Sequence, residues 1–99
     1  MSSAVVHERF ETLVTQARRL RRKGERKKEL TALRQACLLE EDCASAWTLY
    51  GARLADAGRR DDAAQAFRHA LWLRHRAGDS ARERTTAAVA ARLGLACAA

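Results

Sequence analysis

Apolar residues recur along this chain at intervals of three and four, the spacing that places side chains on one face of an α-helix. Two such stripes flank Gly24, and the same arrangement returns on either side of Gly58. The stripes are Phe10, Leu13, Ala17 and Leu20; Leu30, Leu33 and Ala36; Trp47, Tyr50, Gly51 and Leu54; and Ala63, Phe67, Ala70 and Leu71. The pattern therefore predicts two pairs of amphipathic helices.

A fifth helix is predicted after the second pair. Gly78 and Asp79 break the preceding helix, and the run 80–83 has the spacing of a capping box, with Ser80 and Glu83 bonding to free amide groups. Gly94 is expected to end the helix in the left-handed conformation. The predicted helices are 3–22, 26–39, 44–57, 61–76 and 81–93, and the last one is expected to cover the open end of the second pair.

Composition agrees with an all-α chain. The 99 residues, the usual size of a single domain, include 22 alanines and four valines but no isoleucine and no proline. Because β-branched residues favour strands whereas Ala, Leu and Arg favour helices, this composition argues against a β-sandwich. The length also argues against a multidomain enzyme.

The helix pairs repeat with a period of 34 residues, which is typical of helix–turn–helix arrays. Six pairs of residues match in size at this spacing: Leu13 with Trp47, Ala17 with Gly51, Leu20 with Leu54, Gly24 with Gly58, Leu33 with Phe67, and Ala36 with Ala70. The small residues at 17, 36, 51 and 70 are expected where two helix backbones approach closely.

At these residues the sequence resembles the tetratricopeptide repeat. The family pattern is W-x2-L-G-x2-Y followed by A-x3-F and a later A. It is matched by Trp47, Tyr50, Gly51, Leu54, Ala63, Phe67 and Ala70. The large residues at 50 and 54 are exchanged relative to the pattern, and His75 stands in place of its proline. The first repeat has Gln16 and Glu29 where Leu and Ala are expected. The resemblance implies a short right-handed superhelix of antiparallel helix pairs, with repeats at 10–43 and 44–77 and a capping helix at 78–95.

Sequence motifs for catalysis or metal binding do not occur. The chain has no Gly-rich phosphate loop, no G-x-S-x-G and no H-E-x-x-H, and its histidines and cysteines lack the spacing of zinc ligands. These residues are His7, His69 and His75, and Cys37, Cys43 and Cys97. We therefore expect no enzymatic activity, no cofactor, no metal and reduced thiols. The apolar runs are too short to span a bilayer, and the N-terminal residues do not have the pattern of a secretory signal. We therefore expect a cytoplasmic protein without a membrane segment.

Charge is concentrated in one segment. The chain carries net charge +7, and residues 18–28 hold eight basic residues and one glutamate. The resemblance implies that the first helices of the repeats line a concave groove, with walls that include Val14, Arg18, Arg21, Thr48, Ala52, Ala55 and Arg82. This basic segment, which includes Arg22, is expected to attract an acidic protein partner. The alternative is a solvated turn without a ligand. The chain has no asparagine, so the family's clamp for C-terminal carboxylates is not expected.

Two large apolar residues depart from the family pattern. Leu38 and Trp72 occupy equivalent positions, 34 residues apart, where the repeat normally has a polar residue. Both are expected to face outward and to form a patch that binds a partner or a second copy of the chain, unless the first nine residues or the C-terminal tail cover them.

The sequence thus predicts a non-enzymatic protein-interaction module. The leading alternative is nucleic-acid binding through Arg18–Lys28, since phosphate attraction needs only clustered Lys and Arg. Few aromatic residues are available for base stacking, which argues against it. A third interpretation is a self-assembling scaffold, in which a homodimer extends the short core.

Overall fold

The computed structural model describes residues 2–95, and all regular secondary structure in this range is helical. The helices are α1 (Ser3–Arg22), α2 (Arg26–Leu39), α3 (Ala44–Asp56), α4 (Arg60–Arg76) and α5 (Ser80–Arg92). The predicted all-α fold with five helices is confirmed, and every boundary lies within one residue of its predicted position. No helix among residues 2–95 combines the length and the apolar character needed to cross a membrane.

The chain divides into two compact units. Unit 1 spans Met1–Glu41 and contains α1 packed against α2, whereas unit 2 spans Asp42–Ala99 and contains α3 packed against α4 and α4 packed against α5. The predicted stripes supply most of the buried residues: Phe10, Leu13, Ala17, Leu30, Leu33 and Ala36 in unit 1, and Gly51, Leu54, Ala63, Phe67 and Ala70 in unit 2. Apolar periodicity therefore identifies the core of both units.

The turns inside the two helix pairs have the same backbone geometry. Gly24 and Gly58 adopt φ values of +75° and +78°, a region that side chains with a Cβ disfavour. In each turn the glycine and the residue after it donate backbone hydrogen bonds to the preceding helix, at 3.0 Å in the first turn and at 3.0 and 2.9 Å in the second. These are the paired bonds of a Schellman motif, so the 34-residue period reproduces one turn twice.

The start of α5 differs from the prediction by one residue. Asp79 is the N-cap, and its Oδ1 accepts a hydrogen bond from the backbone N–H of Arg82 at 3.1 Å. The predicted capping box at Ser80 is therefore wrong, because Ser80 is already the first helical residue. A carboxylate in the cap position also interacts favourably with the positive end of the helix dipole, which favours Asp79 over the serine.

The end of α5 agrees with the prediction and is fixed from a second helix. Gly94 has φ +72°, the left-handed conformation expected of it. The guanidinium of Arg60, at the start of α4, donates hydrogen bonds to the carbonyl oxygens of Leu93 at 3.1 Å and Gly94 at 2.6 Å. These bonds satisfy carbonyl groups that a helix end leaves free, and they tie α5 to α4.

Candidate partner-binding surfaces

The turn between α1 and α2 carries a dense, exposed group of cations, which we call the basic turn. All eight basic side chains between residues 18 and 28 are exposed: Arg18, Arg19, Arg21, Arg22, Lys23, Arg26, Lys27 and Lys28. Among the described residues, the ion pairs of this group are Arg21 with Glu29 at 4.0 Å and Lys28 with Glu25 at 3.5 Å. Most of these cations therefore face solvent and form no ion pair within residues 2–95.

The equivalent turn of unit 2 is electrically balanced. Residues 52–62 contain three arginines and three aspartates. Arg53 lies 3.4 Å from Asp56, and Arg59 lies 2.7 Å from Asp62. Since this turn forms the same backbone hydrogen bonds without excess charge, the basic residues of unit 1 are not needed to form the turn.

Some of the cations also lie where a helix disfavours them. Arg26, Lys27 and Lys28 precede Glu29 in the first turn of α2, beside the positive end of its dipole, whereas in α4 Arg60 is followed at once by Asp61 and Asp62. A cation at a helix N-terminus opposes the dipole by about 0.3–1 kcal/mol. These three cations therefore lower the local stability of α2, whereas Arg19, Arg21 and Arg22 in the last turn of α1 interact favourably with the dipole of that helix.

Glu29 is a buried charged residue that sequence reasoning identified only as a departure from the repeat pattern. It is 4% exposed, and its Oε2 lies 4.0 Å from Nη1 of Arg21. A buried carboxylate needs a nearby cation or hydrogen-bond donors to offset its desolvation. Arg21, predicted as a groove residue, thus also supports the fold of unit 1, in contrast to Arg18 and Arg22.

An open depression lies on unit 1 between α1 and α2, beside the basic turn. It combines ammonium groups with amide and hydroxyl side chains and one partly buried leucine, and its lining residues are Gln16, Leu20, Lys27, Lys28, Thr31, Ala32 and Gln35. Sequence reasoning did not find this site because its members come from two helices and share no motif. Its donors suit carboxylate and carbonyl oxygens.

The predicted groove residues fall on faces of three helices. Val14, Arg18 and Arg21 are three or four residues apart on α1, so they share one face of unit 1. Thr48, Ala52 and Ala55 share one face of α3 and are half-buried, and the Thr48 hydroxyl donates to the Ala44 carbonyl at 2.8 Å. Arg82, on α5, is exposed and lies 3.4 Å from Asp79. A groove lined by all of these residues stays a prediction.

Both unusual apolar residues are exposed, as predicted. Leu38 on α2 and Trp72 on α4 each expose 52% of their surface. In unit 2, Trp72 belongs to a series of ring contacts that the sequence did not predict: the Trp47 ring lies 4.6 Å from that of His69, edge to face, and His69 stacks on Trp72 at 5.8 Å. The Arg76 guanidinium lies 5.2 Å from the Trp72 ring centroid. The tryptophan is therefore held in place by neighbouring side chains.

A histidine links the beginning of α1 to the end of α2. Nδ1 of His7 lies 2.7 Å from Oε1 of Glu40, and this hydrogen bond, with the nearby negative charges of Glu40 and Glu11, raises the pKa of the imidazole. Since the folded-state pKa is raised, the bond stabilises unit 1 fully below the ordinary histidine value, about 6.5, and its contribution is lost as the pH rises through the raised value.

We expect the substitution Glu40→Gln to lower the pKa of His7, because it removes the negative charge that favours the imidazolium form. Nuclear magnetic resonance titration of the His7 ring measures this change directly. The control is Glu8→Gln, which neutralises an exposed glutamate next to His7 in sequence. Equal His7 titration curves in the wild type and Glu40→Gln would show that the hydrogen bond does not form in solution.

The described residues offer little for metal chemistry. Cys37 is buried and Cys43 half-buried, while Cys97 lies outside the described residues. Within residues 2–95, no three His, Cys, Asp or Glu side chains are grouped so that they could hold a metal ion.

Comparison with protein-family models, curated proteins and solved structures finds no match for this chain. Its five helices are compatible with a helical repeat.

Proposed function

We propose that this chain is a non-enzymatic protein-interaction module of the tetratricopeptide type that binds an acidic segment of a partner protein in the cytoplasm. The basic turn of unit 1 attracts the partner, and the neighbouring depression accepts its carboxylate and carbonyl groups. In this proposal α5 is the capping helix of the second repeat, because it packs against α4, the second helix of that repeat.

The observation that carries the proposal is the difference between the two equivalent turns. Both end in a glycine with positive φ and form the same pair of backbone hydrogen bonds, yet only the turn of unit 1 is strongly basic. A charge excess that the turn does not require, and part of which opposes the dipole of α2, supports an interaction with a negatively charged ligand.

Nucleic acid is the second candidate ligand, because the exposed cations of the basic turn could also attract phosphates. The local chemistry favours a protein. Phe10 is the only Phe, Tyr or Trp between residues 2 and 41, and its ring is buried, so unit 1 offers no exposed ring of these types for stacking a base. The depression instead presents Gln16, Thr31 and Gln35, which suit hydrogen bonding to a peptide.

The proposal is tested by titrating the full chain against two fluorescent peptide pools of equal length, one rich in Glu and Asp and the other with Gln and Asn in their place. We expect saturable binding of the acidic pool and at least tenfold weaker binding of the neutral pool, because exposed charge steers association. Equal binding of both pools, or binding of neither, would contradict the proposed function.

A further inference from the structure

The exposed indole of Trp72 lies in the middle of a cationic face of α4. Arg68 and Arg76 lie one helical turn before and after it, and both are exposed. Within residues 2–95 neither arginine forms an ion pair. In the described part of unit 2, four acidic side chains form ion pairs with residues other than these two arginines: Asp56 with Arg53, Asp62 with Arg59, Asp79 with Arg82, and Glu83 with His75.

The surroundings of the indole determine what it can contact. His69 stacks on Trp72 with an interplanar angle of 24°, and the Arg76 guanidinium lies over the ring at 5.2 Å from its centroid. His69 and Arg76 therefore occupy part of the space beside the ring, and 52% of the surface of Trp72 remains exposed. A nucleic-acid base needs a free ring face for stacking, whereas the exposed part of this indole suits an apolar side chain.

We propose that this face of α4 binds an acidic amphipathic helix of a partner protein. Two carboxylates of that helix pair with Arg68 and Arg76, and an apolar side chain between them packs against Trp72. This inference rests on the proposed function, and it states which kind of partner binds at a second surface of the chain. The two arginines are eight residues apart, about 12 Å along the helix axis. A partner helix therefore matches them with the spacing Glu-x3-Leu-x3-Glu.

Charge argues against a second copy of the chain as the occupant. In a symmetric dimer through this face, Arg68 and Arg76 of one copy would meet the same cationic face of the other, and like charges across an interface oppose association. Leu38 lies on a different kind of face. Arg34 precedes it by one turn, but α2 ends at Leu39, so no second cation follows Leu38 on the helix. The carboxylate spacing proposed for Trp72 is therefore not matched at Leu38, although both residues have the same exposed fraction.

The experiment uses the full chain and a pool of synthetic helical peptides in which Glu-x3-Leu-x3-Glu is fixed and the other positions vary. Fluorescence anisotropy gives the affinity for the wild type and for Trp72→Ala. We expect Trp72→Ala to weaken binding at least tenfold, since a central tryptophan commonly dominates an interface. Val5→Ala is the control, because it shortens another large exposed apolar side chain that is not assigned to a binding surface, and we expect it to leave binding within about twofold of the wild type.

Two double variants test the contribution of the arginines while leaving Trp72 in place. Arg68→Gln combined with Arg76→Gln should weaken binding and make it less sensitive to salt, whereas Arg84→Gln combined with Arg92→Gln removes the same charge from exposed positions on α5 and should change little. Circular dichroism confirms that each variant keeps its helices.

Several outcomes would overturn the inference. One is equal peptide affinity of the wild type and Trp72→Ala, and another is peptide binding that the Arg68 and Arg76 substitutions leave unchanged. Trp72-dependent self-association, or Trp72-dependent binding of a single-stranded oligonucleotide without peptide binding, would assign the face to another ligand. Peptide binding that requires the basic turn but not Trp72 would overturn this inference and leave the proposed function standing. Failure of the wild type to bind any acidic peptide would overturn both.

Discussion

Replacing Gly51 with leucine should destabilise unit 2 by about 1–3 kcal/mol or more, since adding carbon atoms to a tightly packed contact displaces side chains and backbone. A Cβ at Gly51 would lie 2.8 Å from Cδ2 and 2.9 Å from Cε2 of Phe67, and 3.3 Å from Cβ of Ala66. The Phe67 ring is fully buried, so moving it displaces other side chains of the close-packed core. Such a loss is a large share of the stability of a small domain, about 5–15 kcal/mol.

Urea unfolding followed by circular dichroism measures the effect as a fall in the midpoint concentration. Ala88→Leu is the control, because it places the same side chain at an exposed position of α5. An exposed substitution of this kind usually changes stability by no more than about 0.5 kcal/mol. A Gly51→Leu protein as stable as the wild type would contradict the close packing of α3 on α4.

Reversing three charges of the basic turn should slow the association of an acidic partner by about tenfold or more at low salt, the lower range of electrostatic steering. The substitutions are Arg18→Glu, Arg22→Glu and Lys27→Glu, at exposed positions without an ion pair among the described residues. Arg21 is left in place because its guanidinium faces the buried carboxylate of Glu29. A glutamate at position 21 would destabilise unit 1 and confuse a folding defect with a binding defect.

Stopped-flow measurement of the association rate with the acidic peptide pool tests this expectation. Raising the salt concentration should reduce the wild-type rate toward that of the variant, because the screening length falls to about 8 Å at physiological ionic strength. The control reverses Arg9, Arg84 and Arg92, three exposed cations outside the basic turn, and changes the net charge by the same amount. Equal slowing in both variants would mean that net charge, and not the basic turn, steers the partner.

The helices and the core followed from the sequence because their causes are local. Stripes spaced by three and four residues determine which face of a helix is buried, and Gly24 and Gly58 determine where a helix ends. The cap of α5 was misplaced by one residue because adjacent Asp79 and Ser80 are both good caps, and side-chain geometry selects between them.

The candidate surfaces were predicted less completely, because they depend on packing between helices. Exposure of Leu38 and Trp72 followed from their positions in the repeat. The contact of Trp72 with His69, and the approach of Arg21 to buried Glu29, depend on side-chain conformations that the spacing of residues does not specify. The depression beside the basic turn likewise combines side chains of α1 and α2.

The central claim is that the basic turn serves to bind protein and not nucleic acid. A competition experiment tests it most directly: a fluorescent acidic peptide bound to the full chain is challenged with nonspecific duplex DNA at about 150 mM salt, where screening weakens purely electrostatic contacts. We predict that excess DNA leaves most of the peptide bound, and that unlabelled acidic peptide displaces it. Displacement by DNA at concentrations well below those of the competing peptide would contradict the claim and identify nucleic acid as the ligand of the basic turn.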